Sequence, residues 1–277
     1  MKELFLVAIY ETHCHTPLCK HAVGEPEEYV EAAQLAGLDG IIFTCHNPMP
    51  DGFDAQVRMA PDEFDTYLRI IDRAGRRWSG TMDVRLGLEC DYFPGYEHWL
   101  ENQVRAADFH YLLGSVHPHQ KGFRERYWTG DPVLYQREYF KLLAQAAETG
   151  FFDCLSHPDI IKNETPNDWQ PDALMEPICA ALDRIAKCRT AMELNTSGLN
   201  KTIPEMNPGP LILREMYRRS IPVVIGADAH KPERVGKFFN QALDVLETCG
   251  YQHVNFFLER KRHQVPISEM RSSLRTI

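Results

Sequence analysis

The chain has 277 residues, 44% of them hydrophobic and 25% charged, so it can bury a sizeable core and has the length for two modest domains or one α/β barrel. A net charge of −9 leaves no general basic surface for a nucleic-acid backbone, and no nucleic-acid partner is expected. The apolar run Leu4 to Tyr10 is too short to span a membrane, and Glu11 interrupts it before any small-residue cleavage site. It reads as a first strand, with no membrane association. Eight cysteines are spread without a disulfide-like framework, and Cys14, Cys45 and Cys90 lie inside strand-like runs. Reduced, buried thiols in a cytoplasmic protein are the expectation.

Apolar runs and helical stretches alternate along the chain. Strands are predicted over Leu4 to Tyr10, Gly40 to Cys45, Val84 to Leu88, Tyr111 to Val116, Phe152 to Ser156, Ala191 to Leu194 and Pro222 to Ala227. Between them, apolar residues recur at three- and four-residue spacing: Tyr29, Ala32, Ala33 and Ala36 after Pro26; Leu142, Leu143 and Ala146 after Pro132; Ile178, Leu182 and Ile185 after Pro171. Seven βα units imply a parallel sheet, and a closed or nearly closed seven-stranded (β/α) barrel is favoured over an open sheet. No linker divides it, so one domain over residues 1–277 is expected. Long loops Asn47 to Asp62, Pro118 to Asp131 and Asn163 to Pro171 all follow strands and should rim a pocket that selects the substrate.

Each predicted strand ends in a residue able to bind a metal or its ligand: His13 and His15, His46, Glu89, His117, His157, Asn195, and Asp228 with His230. Parallel strands wound with helices bring such ends to one face. In His13-Cys14-His15 the two-residue step turns both imidazoles to the same side of an extended segment. Asp228-Ala229-His230 does the same with a carboxylate and an imidazole. Alone, each is compatible with an ordinary strand histidine or a paired carboxylate. Together they would be costly to bury without a metal. Glu89, with two oxygens, is suited to bridge two ions.

These segments, with Thr12-His13-Cys14-His15-Thr16-Pro17-Leu18-Cys19-Lys20-His21, Leu88-Glu89-Cys90-Asp91-Tyr92, Gly114-Ser115-Val116-His117, Ser156-His157-Pro158-Asp159 and Gly226-Ala227-Asp228-Ala229-His230, resemble the PHP (polymerase and histidinol phosphatase) family, and more closely its histidinol-phosphatase branch. The resemblance covers nearly the whole chain. It implies a distorted (β/α)7 TIM-like barrel holding three divalent metal ions, variously zinc, iron and manganese. Carried over, the first ion takes His13, His15, Glu89 and Asp228; the second shares Glu89 and adds His117 and His157; the third takes His21, His46 and His230. Glu89, Asp228 and His230 are expected to carry catalysis. The chain departs from the pattern at Glu11 and Ala227, where aspartate and serine are more usual, and at Cys45, where an acidic residue is common. The segment after His117, Pro118 to Phe123, also differs.

The implied reaction is hydrolysis of a small phosphate monoester, L-histidinol phosphate first, by a metal-activated water. Arg124, Arg126 and Lys162 are candidates to hold the phosphate, and His119, Asn195 and Asp159 to orient substrate or protonate the leaving group. A phosphoesterase acting on a nucleotide, sugar phosphate or phosphodiester is the alternative, with Phe123, Tyr127, Trp128 and Trp169 as a stacking surface. A metal-dependent amidohydrolase and a non-catalytic metal-binding protein are further rivals. Trp78, Trp99 and the tail from Glu259 onward could serve a homo-oligomer or the barrel itself.

Overall fold

The computed structural model describes residues 9–275. Eight strands run parallel in chain order: β1 (Tyr10–Glu11), β2 (Gly40–Phe43), β3 (Asp83–Asp91), β4 (Tyr111–Ser115), β5 (Cys154–Leu155), β6 (Ala191–Asn195), β7 (Val223–Gly226) and β8 (His253–Leu258). A ninth, β9 (Lys261–Pro266), lies antiparallel to β8. The predicted strand Leu4 to Tyr10 falls largely outside the described residues, which show only its end. β2 and β4 to β7 are buried on both faces, as sheet strands covered by helices must be, so they read as unbroken apolar runs rather than alternating ones.

Helices fill the returns: α1 (Pro26–Leu35), α2 (Phe64–Arg77), α3 (Glu97–Gln103), α4 (Lys121–Tyr127), α5 (Pro132–Glu148), α6 (Met175–Cys188), α7 (Pro210–Arg218), α8 (Phe239–Cys249) and α9 (Ile267–Ser273). In α2, Tyr67, Ile71 and Ala74 face the sheet while Arg69, Asp72, Arg73 and Arg76 face water. Pro132 opens α5 behind Asp131, whose carboxylate accepts from the Val133 and Leu134 amides at 2.8 and 3.1 Å. Two expectations are corrected. The segment Pro118 to Asp131 is not all loop, since it contains α4, and α6 begins at Met175, after turns that follow Pro171. None of the described helices is long and apolar enough to cross a membrane.

Closure of the barrel is uneven, and this is its distortion. Beyond their strand ends the first and seventh segments meet, with Cys14 bridged to Ala229. The His15 amide donates to the Ala229 carbonyl at 2.9 Å and the Ala229 amide to the His13 carbonyl at 3.0 Å. At the opposite end β1 and β7 part, and the β8–β9 hairpin fills the gap. Phe256 stacks on Tyr10 at 5.0 Å and Phe257 on Tyr111 at 5.5 Å. The hairpin tip places Glu259 and Arg260 at φ 50° and 61°, a turn that favours Asn-Gly. Tertiary bonds hold Arg260 there: its amide donates to the His110 carbonyl at 3.0 Å, and its guanidinium reaches Asp153 at 2.5 Å and the Phe151 carbonyl at 2.7 Å. The hairpin, including Glu259 and Arg260 at the start of the C-terminal tail, is therefore part of the barrel floor. Phe257→Ala should cost about 3 kcal/mol by emptying that floor. Chemical denaturation with an unchanged midpoint would refute its role as the plug.

Candidate metal centre

Strand alternation explains which side chains reach the top of the barrel. Glu11 and His13, Glu89 and Asp91, and Glu193 and Asn195 are two residues apart in extended chain, so each pair shares a face. Glu89, wholly buried, is the common point. Its Oε2 lies 2.8 Å from His46 Nδ1, 3.4 Å from His13 Nε2 and 3.6 Å from His15 Nε2. Its Oε1 lies 3.3 Å from His157 Nε2 and 3.5 Å from His117 Nε2. Asp228 Oδ1 stands 3.2 Å from His15 Nε2, 3.6 Å from His13 Nε2 and 3.3 Å from His230 Nδ1. His21, His46 and His230 bring ring nitrogens within 4.8 Å of one another, and the His21 and His230 rings stack at 4.5 Å. The nine side chains proposed as ligands thus occupy one site, with His15 stacked on His230 at 3.9 Å and at 4.5 Å from His46.

The outer nitrogens of several rings are already engaged. His13 Nδ1 meets Glu193 at 2.7 Å, His117 Nδ1 meets Asp91 at 2.5 Å, and His21 Nδ1 donates to the Cys19 carbonyl at 2.7 Å. Such contacts fix the tautomer that leaves the other nitrogen's lone pair facing inward. Inside, His13 Nε2 and His230 Nε2 are buried with no hydrogen-bond partner, and His46 Nδ1 and Glu89 Oε2 face each other at 2.8 Å without an aligned hydrogen bond. Orphaned buried acceptors in this number are costly unless a cation satisfies them. Burial works to raise Glu89 and Asp228, but the surrounding imidazoles outweigh it and hold both carboxyls well below their usual range. The histidines divide: burial takes His46 down to about 4 and, with His15 beside it, holds His230 well below the histidine range, whereas on His13, His15 and His117 the neighbouring carboxylates outweigh burial, raising His15 to about 9 and the other two above the histidine range. A divalent ion binds ionised carboxylates and neutral imidazoles, so it would displace the protons held by those three.

The backbone is bent to make this arrangement. His157 has φ 27° and Asp228 φ 50°, conformations that cost about 1–3 kcal/mol each and persist where surroundings impose them. Glu193, in the middle of an apolar strand, supplies one constraint: it accepts from the His157 amide and from Asn195 Nδ2, both at 2.9 Å, besides its contact with His13. Glu11 supplies the other, accepting from the His13 and Ala227 amides at 3.1 and 2.9 Å and from Gly236 at 2.9 Å. Its burial raises it to about 7. Gly226 is required between them, since a Cβ there would sit 2.1 Å from Glu193 Oε1 and 2.6 Å from His13 Cβ. Glu193 was not singled out in the sequence, and Glu11 was noted only as a departure from the family pattern. The available signal was a carboxylate inside an otherwise apolar, buried strand.

The substrate candidates divide. Lys162 is wholly buried and its ammonium is taken up by Asp159 and Glu205 at 3.1 Å and the Met206 carbonyl at 2.8 Å. Three acceptors saturate its three donors, so it is a structural cation, and the expectation of a free phosphate clamp there is corrected. Asp159 is its partner and also accepts from the Gly209 amide at 2.8 Å. Asn195 braces Glu193 and caps the following turn through the Ser197 amide. Arg126 donates to the Pro94 carbonyl and packs on Phe93, and Arg124 pairs with Glu164 at 3.3 Å. His119 is exposed at the rim, its ring 5.2 Å from that of His117. A cleft of about 150 Å³ that sequence reading missed is lined by Asp228 and His230 together with Lys201, Lys231, Arg234 and Lys237.

A parallel barrel whose strand ends converge on imidazoles and carboxylates with inward lone pairs defines a metallohydrolase type of site. The model of the PHP domain matches residues 11–197, and the chain belongs to that family. It is 37% identical over 257 residues to a Deinococcus radiodurans protein described as a probable histidinol-phosphatase, covering 91% of this chain and 97% of that one. It is 25% identical over 262 residues to the histidinol-phosphatase of Bacillus subtilis, covering 84% and 97%. The crystal structure of histidinol phosphate phosphatase from Lactococcus lactis, complexed with zinc, L-histidinol and phosphate, superposes with a TM-score of 0.79 at 19% identity, over 92% of this chain and 99% of that one.

Cations would satisfy the orphaned groups, and stripping them should then expose the strain of the empty cluster. Dialysis against a strong chelator should lower the melting temperature, and zinc or manganese should restore it. Identical melting of stripped and reloaded protein would count against the metal centre.

Proposed function

We propose that this chain hydrolyses a phosphate monoester, L-histidinol phosphate, to the alcohol and inorganic phosphate, in a centre of three divalent ions. The observation that carries the reading is the set of five imidazole nitrogens within 3.6 Å of the two buried oxygens of Glu89. The 37% identical relative, spanned almost entirely, points to the substrate. In this reading His13, His15, Glu89 and Asp228 hold the first ion; Glu89, His117 and His157 hold the second; His21, His46 and His230 hold the third. The ions would be zinc, iron or manganese, since mixed imidazole and carboxylate donors suit all three.

When bound, such ions polarise phosphoryl oxygens and bring a water's pKa towards neutrality. The chain's own residues do the rest. Glu89, with Oε2 towards His13, His15 and His46 and Oε1 towards His117 and His157, would be shared by two of the ions. Glu193 and Asp91 hold His13 and His117 with the ligating nitrogen inward. Lys201, Lys231, Arg234 and Lys237 surround the cleft that opens beside Asp228 and His230, which suits a phosphoryl dianion and would set the ester against the centre. His119, at the rim and not engaged below it, is left to meet the organic part of the substrate. The free state of all eight cysteines supports a cytoplasmic setting.

Metal-loaded protein should release phosphate from L-histidinol phosphate orders of magnitude faster than from nucleotides and sugar phosphates, and a chelator should stop it. Preference for another ester would reassign the substrate and keep the metal centre; silence towards every ester would overturn the reaction. Glu89→Gln should abolish turnover without unfolding the barrel, and a folded, metal-loaded Glu89→Gln protein with undiminished rate would remove Glu89 from its bridging role.

A further inference from the structure

Arg58 is the largest of the wholly buried side chains, 1% exposed, and it lies in the loop between β2 and α2 rather than on a strand. A guanidinium so placed keeps its charge and must be compensated. One arm, Nη2, pairs with the Asp91 carboxylate; the other, Nη1, donates to the Asn47 carbonyl at 3.1 Å. Asp91 is a point of convergence. Its Oδ1 takes His117 Nδ1 at 2.5 Å, its Oδ2 takes Gln120 Nε2 at 2.6 Å besides Arg58, and its amide donates to Asn47 Oδ1 at 3.0 Å. Asn47 in turn donates its own amide to the Glu89 carbonyl at 2.8 Å. Arg58 thus ties the segment after His46, the end of β3 and the His117 ring into one buried network.

We propose that Arg58 is a positioning residue of the metal centre, acting through Asp91 to hold His117 with Nε2 turned to Glu89. The inference rests on the metal-centre reading above. A bound carboxylate partner orients a ligating histidine, but a lone aspartate in this position could rotate about its own side-chain torsions. The two-armed guanidinium removes that freedom, since one planar group bonds Asp91 and the Asn47 backbone at once. Lysine carries the charge on a single nitrogen and lacks the fork. Loss of the clamp should therefore loosen one ion, the one that His117 holds, and leave His13, His15 and Asp228 undisturbed.

The test is ion content under graded chelator competition for wild type, R58K, R58M, D91N and R58M/D91N, with melting curves and kcat and KM measured in excess metal. R58M should retain one ion equivalent about 10- to 100-fold less tightly than wild type, the scale of a lost outer partner, with the remaining ions held as before. R58K should fall between the two, and the double variant should lose little beyond D91N alone, because both act along one line. In excess metal the loss should recover in kcat with KM unchanged. A structural role alone would lower the melting temperature and release all ions together. Wild-type retention in R58M overturns the proposal, as does full additivity with D91N; if R58M fails to fold, wild-type retention in R58K does so. A wild-type protein that binds no metal would instead overturn the reading of the site itself.

Discussion

The fold is arranged around one electrostatic constraint: a carboxylate, Glu89, buried among histidines at the end of a parallel barrel. An isolated carboxylate at zero exposure would take up a proton, because burial disfavours its charge. Here five imidazole nitrogens lie within 3.6 Å of its two oxygens, and the balance reverses. The histidines face the opposite problem, since they cannot all be charged so close together. His46 and His230 give way, their charge suppressed by burial, and His230 Nε2 is left without a partner in the protein. The cluster is an assembly built for cations that the chain alone leaves unsatisfied.

Holding that assembly requires an outer layer, and its members come from the same strands two residues earlier or later. Glu11 precedes His13, Asp91 follows Glu89, and Glu193 precedes Asn195. Each carboxylate accepts main-chain or ring N–H groups rather than facing the centre. The pleat explains the pairing, as positions two apart share a face but differ in depth. This outer layer also accounts for the strained φ of His157 and Asp228, because bonds to Glu193 and the Cys14–Ala229 bridge impose those conformations.

Much of this was legible from the chain. The βα alternation gave the barrel, because strands buried on both faces leave continuous apolar runs, and strand-end histidines identified the site. What was not legible depended on contacts distant in sequence. The β8–β9 hairpin reads poorly because its exposed residues, His253, Arg262 and Gln264, break up the run of buried Val254, Phe256 and Phe257, whose two phenyl rings lie on opposite faces of β8. Lys162 looked like a phosphate clamp because a lysine in a rim loop is ordinarily exposed. Only the fold brings Glu205 and the Met206 carbonyl, more than forty residues later, to consume it. The cleft cations Lys201, Lys231, Arg234 and Lys237 lie in two separate loops that become neighbours only through the adjacency of β6 and β7.

Division of labour between the two kinds of segment follows from these contacts. Strand ends carry the ion-binding groups, where hydrogen bonds between strands fix depth and direction. The loops divide further: the one after β2 turns inward and delivers Arg58 beneath the centre, while the one after β4 turns outward and becomes α4. The departure of Pro118 to Phe123 from the family pattern falls in that outward loop, directly after His117. Its residues nonetheless split between both roles, with Gln120 bonding Asp91 and Phe123 buried against Tyr135, while His119 is exposed with its ring 5.2 Å from that of His117. A change in this loop can therefore alter what the rim recognises without moving His117, because the inward bonds of Asp91 hold the ligand from below.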